Sequence, residues 1–371
     1  ALRPTEGKAA AVAALPYDVV NREEAAAIGK ENPDSFLHVD RAEMDLPAET
    51  DLYDAKVYQK AKENLHKMEE TGVLVQDNKP CYYIYELVRK GKVQTGIAGC
   101  ASIDDYLNNV VKKHELTRSD KELDRINHVD VCDANTGPIY LACRYTDALS
   151  ALLEQWKKEH KATYDFTEED EITHRVWVID GDEAISQIQD EMEKIPALYI
   201  ADGHHRAVSA VKVGLKRRQE NPDYTGEEAF NYFLSVVFSY DQLTILAYNR
   251  VVRDLNGQSV EDVLEKIKEN FDMTIVPGFP AKPVEKHCFG MYLDGFWYLL
   301  KAKSELYEGK DVVGQLDSQI LQDVVLGPVL GIGDPRTDKR IKFVGGSHKL
   351  RELQMRPEAL RLRFILLLWK I

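Results

Sequence analysis

Cysteine is sparse in this chain. There are five, Cys81, Cys100, Cys132, Cys143 and Cys288, an odd number with no Cys-x-x-Cys pair. That argues against a disulfide framework or a structural zinc site and fits reduced thiols in the cytoplasm. Positive charge is short too, with 48 Lys and Arg against 62 Asp and Glu and a formal net charge of −14. Broad binding to nucleic acid, whose phosphates demand a basic face, is therefore unexpected, although a local basic pocket for a small phosphorylated ligand stays open. The apolar run Phe364 to Trp369 is far too short to span a bilayer. The opening Ala-Leu-Arg-Pro lacks the apolar stretch of a signal peptide. A soluble cytoplasmic protein without a membrane partner is the expectation. Several catalytic signatures are missing as well: Gly-x-Gly-x-x-Gly, the P-loop, His-Glu-x-x-His and the Gly-x-Ser-x-Gly elbow. No dedicated metal site is expected, and there is no internal repeat or low-complexity segment.

What is present reads as an ordinary globular protein, 44% hydrophobic and 30% charged. A chain of 371 residues is too long for one small core, so one large elaborated domain or two are expected. Asn21 with Glu24 has capping-box spacing, with Gly29 closing a short helix. An amphipathic helix is expected over 51–71. Tyr82 to Val88 and Val93 to Ile103 around Lys90-Gly91-Lys92 predict an antiparallel hairpin. Ser119 with Glu122 is a capping box that predicts a helix through Leu123, Ile126 and Val129. Further strands are expected at 139–143, 175–179, 233–240 and 243–252, and helices at 147–159 and 181–194. Beyond Ser259, a β-α-β-β run with Asp294-Gly295 as a hairpin turn forms a second sheet or extends the first.

The chemistry concentrates at Leu198-Tyr199-Ile200-Ala201-Asp202-Gly203-His204-His205-Arg206. This is a short apolar strand running through a turn into a helix of small residues. A helix start offers free amides and a positive dipole end to an anion. Gly203 permits a tight turn, Arg206 brings a fork for phosphate or carboxylate, and His204 and His205 titrate near neutrality. Asp202 can serve as a base, a metal ligand or the helix N-cap.

Three other clusters stand out. From His114 and Glu115 the chain runs into a helix on which Lys121, Asp124, Arg125 and His128 share one face. Such a face suits a zwitterionic or phosphorylated substrate, and it is equally the pattern of a solvated, salt-bridged helix. Asn135-Thr136-Gly137-Pro138 can line a phosphate or base pocket or simply turn the chain. Gly331 to Gly346, containing Asp334-Pro335-Arg336, matches no phosphate loop. Magnesium arriving with a nucleotide needs only one or two carboxylates, for which Asp202, Glu115 or Asp18 can serve.

Taken as a set, several of these motifs resemble the bacterial family called "domain of unknown function 1015". They are Leu15-Pro16-Tyr17-Asp18-Val19-Val20, His114-Glu115 with Lys121-Glu122-x-Asp124-Arg125, Asn135 to Pro138, Asp202 to Arg206, and Leu316-Asp317 through Asp334 to Gly346. The Asp-Gly-His-His-Arg turn is in addition similar to the signature of free serine kinases of the ParB/sulfiredoxin fold. That resemblance implies an α+β fold of mixed sheets and helices, with a ParB/sulfiredoxin-like core around the strand–turn–helix. It implies residues 1–240 as core with insertions, 241–346 as a smaller α+β region, and 347–371 as an atypical, shifted or truncated tail. The implied function is a small-molecule kinase or phosphotransferase acting on a hydroxyl-bearing metabolite such as free serine. ATP or ADP with magnesium would be the donor. Asp202, Glu115 and His204 are then the expected catalytic groups. Gly203, His204, His205, Arg206, Asn135 and Thr136 hold the nucleotide phosphates, and His114, Lys121 and Arg125 assist. The rivals are a nucleotide-binding regulatory protein without turnover and a phosphatase or other hydrolase of the same metabolite.

Overall fold

The chain folds into two units, Ala1–Leu243 and Thr244–Ile371, in a mixed α+β architecture. The computed structural model describes residues 1–114, 119–168, 171–244, 248–277, 283, 285–335, 337–345 and 364–368, with only the backbone of 119–121, 248, 345 and 364–368.

The first unit opens with β1 (Leu2–Pro4), α1 (Ala9–Val12), α2 (Arg22–Glu31), α3 (Leu37–Asp40) and α4 (Ala55–Glu70). Next come β2 (Leu74–Gln76), β3 (Tyr82–Arg89), β4 (Lys92–Ser102), α5 (Ile103–Leu107), β5 (Val111–Lys112) and α6 (Ser119–Cys132). The rest is β6 (Ile139–Cys143), α7 (Asp147–Glu159), β7 (Tyr164–Thr167), β8 (Thr173–Ile179), α8 (Asp182–Glu193), β9 (Leu198–Asp202), α9 (His204–Glu220) and β10 (Tyr232–Ser239). Eight strands form one mixed sheet in the order β5-β9-β6-β10-β4-β3-β8-β7. Within it β5 runs parallel to β9 and β6 parallel to β10.

Alternation along the strands explains the core. Ile139, Leu141 and Cys143 of β6 share a face with Ile84, Ile97, Ile200 and Phe233, and α7 and α9 cover that face through Leu149, Leu153, Ala207 and Val211. Burying each large side chain of this kind stabilises the fold by about 1.5–3 kcal/mol. A second cluster joins α1, α3 and α4, through Val12, Val39, Val57, Ala61, Leu65 and Met68, to Cys132 at the end of α6. Helix α6 therefore contacts α4 as well as α9.

Local signals hold with small corrections. Asn21 and Glu24 do form a capping box, but Gly29 lies inside α2 and Asn32 is the C-cap. Helix α4 starts later than expected because Asp54 accepts from the Lys56 amide and caps it. That leaves Leu52 outside the helix and exposed.

The second unit contains β11 (Tyr248–Val252), α10 (Val260–Asn270), β12 (Phe271–Val276), β13 (Cys288–Leu293), β14 (Phe296–Ala302), α11 (Asp317–Leu321), β15 (Ile341–Gly345) and β16 (Phe364–Leu368). Its strands form a separate antiparallel sheet in the order β12-β14-β13-β16-β11-β15. Asp294 (φ 48°) and Gly295 (φ 88°) make the expected two-residue hairpin turn. Phe364–Leu368, set apart from the sequence as part of a tail, pairs with both β11 and β13.

Candidate functional site

One residue turns the chain between β9 and α9. Gly203 holds φ at 91°, a left-handed conformation costly for any side chain, and is itself the helix N-cap. No side chain caps this helix, so Asp202 does not have the capping role open to it from sequence. Its carboxylate is largely exposed (73%) and accepts from Arg206 Nη2 at 2.8 Å. Arg206 Nη1 donates to the Pro138 carbonyl at 2.8 Å, and the guanidinium lies against Gly137, where an added Cβ would come within 3.0 Å. Arg206 thus clamps the Asp202–Arg206 turn onto the Asn135–Pro138 turn. Behind them His204 is buried, its ring edge-on to His114 with centroids 4.5 Å apart.

Helix α6 buries part of its charged side. Leu123 is 59% exposed, whereas Arg125 and His128 are only 8% and 3% exposed. The reading of its charged side as a solvated face does not hold for these two residues. Because α6 contacts both α4 and α9, its polar side faces protein, and polar groups there must find partners. They do. Arg125 Nε donates to an Asp124 oxygen at 3.0 Å while Nη2 forms an ion pair with the same oxygen at 2.9 Å, and the guanidinium lies 4.2 Å over the Tyr17 ring. The other Asp124 oxygen accepts from the Tyr58 hydroxyl at 3.0 Å. His128 Nε2 donates to the Val39 carbonyl at 3.1 Å. Among the described residues Arg125 Nη1 has no hydrogen-bond partner.

These side chains line two cavities that share a wall. The smaller, ≈ 40 Å³, is bounded by Asn135, Thr136, Gly137 and Arg206 together with Tyr17, Asp40, Arg125 and His128. The larger, ≈ 460 Å³, shares those last four and extends past Asp18, Glu24, Arg41 and Glu43 to Leu52 and Tyr53. The larger volume is that of a small-ligand site. Asp40 is held in the common wall by the Thr136 hydroxyl, which donates to it at 2.7 Å.

The electrostatics follow from burial and neighbours. Burial and the Arg125 charge push His128 below the ordinary imidazole value, keeping it neutral near pH 7. Because Nε2 carries the proton given to Val39, Nδ1 is the lone-pair acceptor in that form. Burial raises Tyr17, with Arg125 opposing. Tyr58 is pushed up to about 12 by burial and by the charge of Asp124. Arg125 is held charged: burial works against it, but Asp124 and Asp40 outweigh that.

Of the residues singled out from sequence, Asn135, Thr136, Arg125 and Arg206 meet at the small cavity. Asp202, Gly203, His204, His205 and His114 are not among the residues lining either cavity. Glu115 and the Lys121 side chain lie outside the described residues. Sequence reasoning missed Asp40 and Tyr58. Asp40 ends a one-turn helix far along the chain from Thr136 and has no local signature. His128 was legible as a member of the Lys121, Asp124 and Arg125 face. The Gly331–Gly346 stretch belongs to the second unit. There Arg340 donates to the Leu330 and Gly331 carbonyls at 3.0 and 2.8 Å and pairs with Asp338 at 2.9 Å, tying the loop to itself.

No curated protein and no solved structure matches the chain. The four motifs that build the cavity, from Leu15-Pro16-Tyr17 to Asp202-Arg206, all fall within a longer match. Residues 1–319 fit the model of the family described as "Protein of unknown function (DUF1015)", and the chain belongs to that family.

Proposed function

We propose that this protein is a cytoplasmic small-molecule kinase or phosphotransferase. It would move a phosphoryl group from ATP or ADP, with magnesium, to a hydroxyl-bearing metabolite such as free serine. One observation carries the reading: Arg125, Arg206, Asn135 and Thr136 converge with Asp40 and His128 on a small cavity sharing a wall with a ligand-sized cleft. Phosphoryl transfer asks for positioning and charge neutralisation more than covalent chemistry, and buried arginine beside an ordered carboxylate supplies both. On this reading the β9–α9 unit acts as the phosphate-holding element of a ParB/sulfiredoxin-like core.

The roles follow from placement. Arg125 offers Nη1 to the transferring phosphoryl group. Arg206 can join only by giving up its bond to Asp202 or to Pro138. Among the carboxylates expected from sequence, Asp202 is occupied by Arg206. Asp40 lines both cavities and is better placed to take the hydroxyl proton. In the step itself, the substrate oxygen bonds to the terminal phosphorus as the bond to the bridging oxygen breaks. The shortened nucleotide leaves with that electron pair, and the proton passes to the carboxylate.

Phosphorus NMR tests this on the full chain with Mg·ATP or Mg·ADP and a panel of hydroxyl-bearing amino acids. A new phosphomonoester resonance should grow in step with nucleotide consumption and vanish in Arg125→Ala. Nucleotide binding without any product would instead support the regulatory reading. Release of inorganic phosphate from a phosphomonoester without nucleotide would support the hydrolase, and no binding of nucleotide at all would sink the proposal.

A further inference from the structure

The larger cleft changes character from floor to lip. Its floor is polar, with Arg125, Asp40 and the neutral His128. Its lip carries Val19, Leu52 and Tyr53, which are 49%, 43% and 57% exposed. Three large apolar side chains gathered at one cavity mouth are unlike apolar residues scattered singly over a surface, and such a patch marks a binding surface. Beside the apolar lip the same cleft is lined by acceptors, the exposed carboxylates of Asp18 and Glu24. An acceptor-rich wall selects a ligand that brings donors.

A ligand matching all three zones has a flat apolar end, hydroxyl or amino donors in its middle and an anion at its tip. We infer that the lip is a nucleoside subsite: the base rests on Tyr53 and Leu52, ribose hydroxyls donate to the carboxylate wall, and the phosphates point to Arg125. Carboxylates are a recurrent partner of ribose hydroxyls, and an exposed aromatic ring is a platform on which any base can stack. The loop bearing the lip is held from below. Arg22 donates to five backbone carbonyls, those of Glu43, Leu46, Pro47, Ala48 and Thr50, at 2.8–3.0 Å. This anchors the segment leading to Leu52 and Tyr53, so the platform is part of a fixed wall.

The inference rests on the phosphotransferase reading, and calorimetry on the full chain separates the two. Mg·ADP and magnesium tripolyphosphate are titrated into the parent protein, Tyr53→Ala and Tyr53→Phe. Tyr53→Ala should weaken Mg·ADP about tenfold, within the range seen when a stacking ring is removed, and leave tripolyphosphate unchanged. Tyr53→Phe, which keeps the ring, should restore the parent affinity. Since Tyr53 is more than half exposed, melting temperatures should match and serve as the folding control. If tripolyphosphate binds as tightly as Mg·ADP, or Tyr53→Ala weakens both equally or neither, the nucleoside subsite is refuted while the phosphate pocket stands. If neither ligand binds the parent protein, both the subsite and the phosphotransferase reading fall.

Discussion

Replacing Arg125 by methionine probes the centre of the pocket. Methionine follows the aliphatic stem of arginine, so little packing is lost, and the perturbation is confined to the charged head. That head makes a hydrogen bond and an ion-pair contact to a single Asp124 oxygen and lies on Tyr17. Removing one member of a buried ion pair costs about 3–5 kcal/mol, because the remaining charge is left uncompensated. Loss of a desolvated cation–π contact adds up to about 2 kcal/mol. Two features pull the other way: Asp124 keeps the Tyr58 hydroxyl, and the adjoining cavities give it access to water. A loss near the bottom of the ion-pair range, about 3 kcal/mol, is therefore expected. Urea unfolding measures it, with Asp124→Asn and the double variant completing a cycle. Once Asp124 is neutralised, Arg125→Met should cost at least about 1 kcal/mol less, the coupling of a contacting pair. A loss below about 1 kcal/mol, or additivity within about 0.5 kcal/mol, would refute the account of Arg125 as a buried charge held by Asp124.

Three further outcomes are expected. Asp202→Asn should shift stability by no more than about 1 kcal/mol, since its pair with Arg206 is exposed and it caps nothing; a larger drop in denaturant titration would show that the turn depends on that carboxylate. Gly214→Ala in α9 should destabilise by about 1–3 kcal/mol despite the better helix propensity of alanine. Its Cβ would collide with the Phe230 carbonyl oxygen, and unchanged melting would contradict that packing. His38 is raised above 6.5 by its hydrogen bond to Asp45, though burial opposes, while Asp45 is lowered: burial acts against this, but His38 prevails. The imidazolium contribution is therefore full below about pH 6.5 and fades as pH rises through the higher folded value. The carboxylate contribution is lost as pH falls through the depressed Asp45 value. The stability difference between the parent protein and His38→Gln should accordingly shrink from pH 6 to pH 8, and a constant difference would be inconsistent with the pair.

Much of this protein is decided locally and can be read from residue order. The strand Ile139–Cys143 and the helix Asp147–Glu159 stand where their periodicities place them, because period 2 and period 3.6 are local properties. The capping box at Asn21 and the Asp294-Gly295 turn are likewise short-range chemistry. The Gly203 turn was also legible, and Asn135, Thr136, Arg125 and Arg206, singled out from residue type, lie together at the small cavity. Tertiary structure decided which residues face one another. Only packing against both α4 and α9 turns the Arg125 and His128 side of α6 inward and leaves Leu123 exposed. Asp40 reaches Thr136 across 96 positions of chain, a separation at which nothing in either neighbourhood announces the other. Asp202 was removed from its capping role by a single dihedral, the left-handed φ of Gly203, which puts the glycine at the helix start and leaves the carboxylate beside Arg206. Local sequence sets the elements because their hydrogen bonds close within a few residues; the pocket depends on contacts between distant segments that form only once those elements are packed.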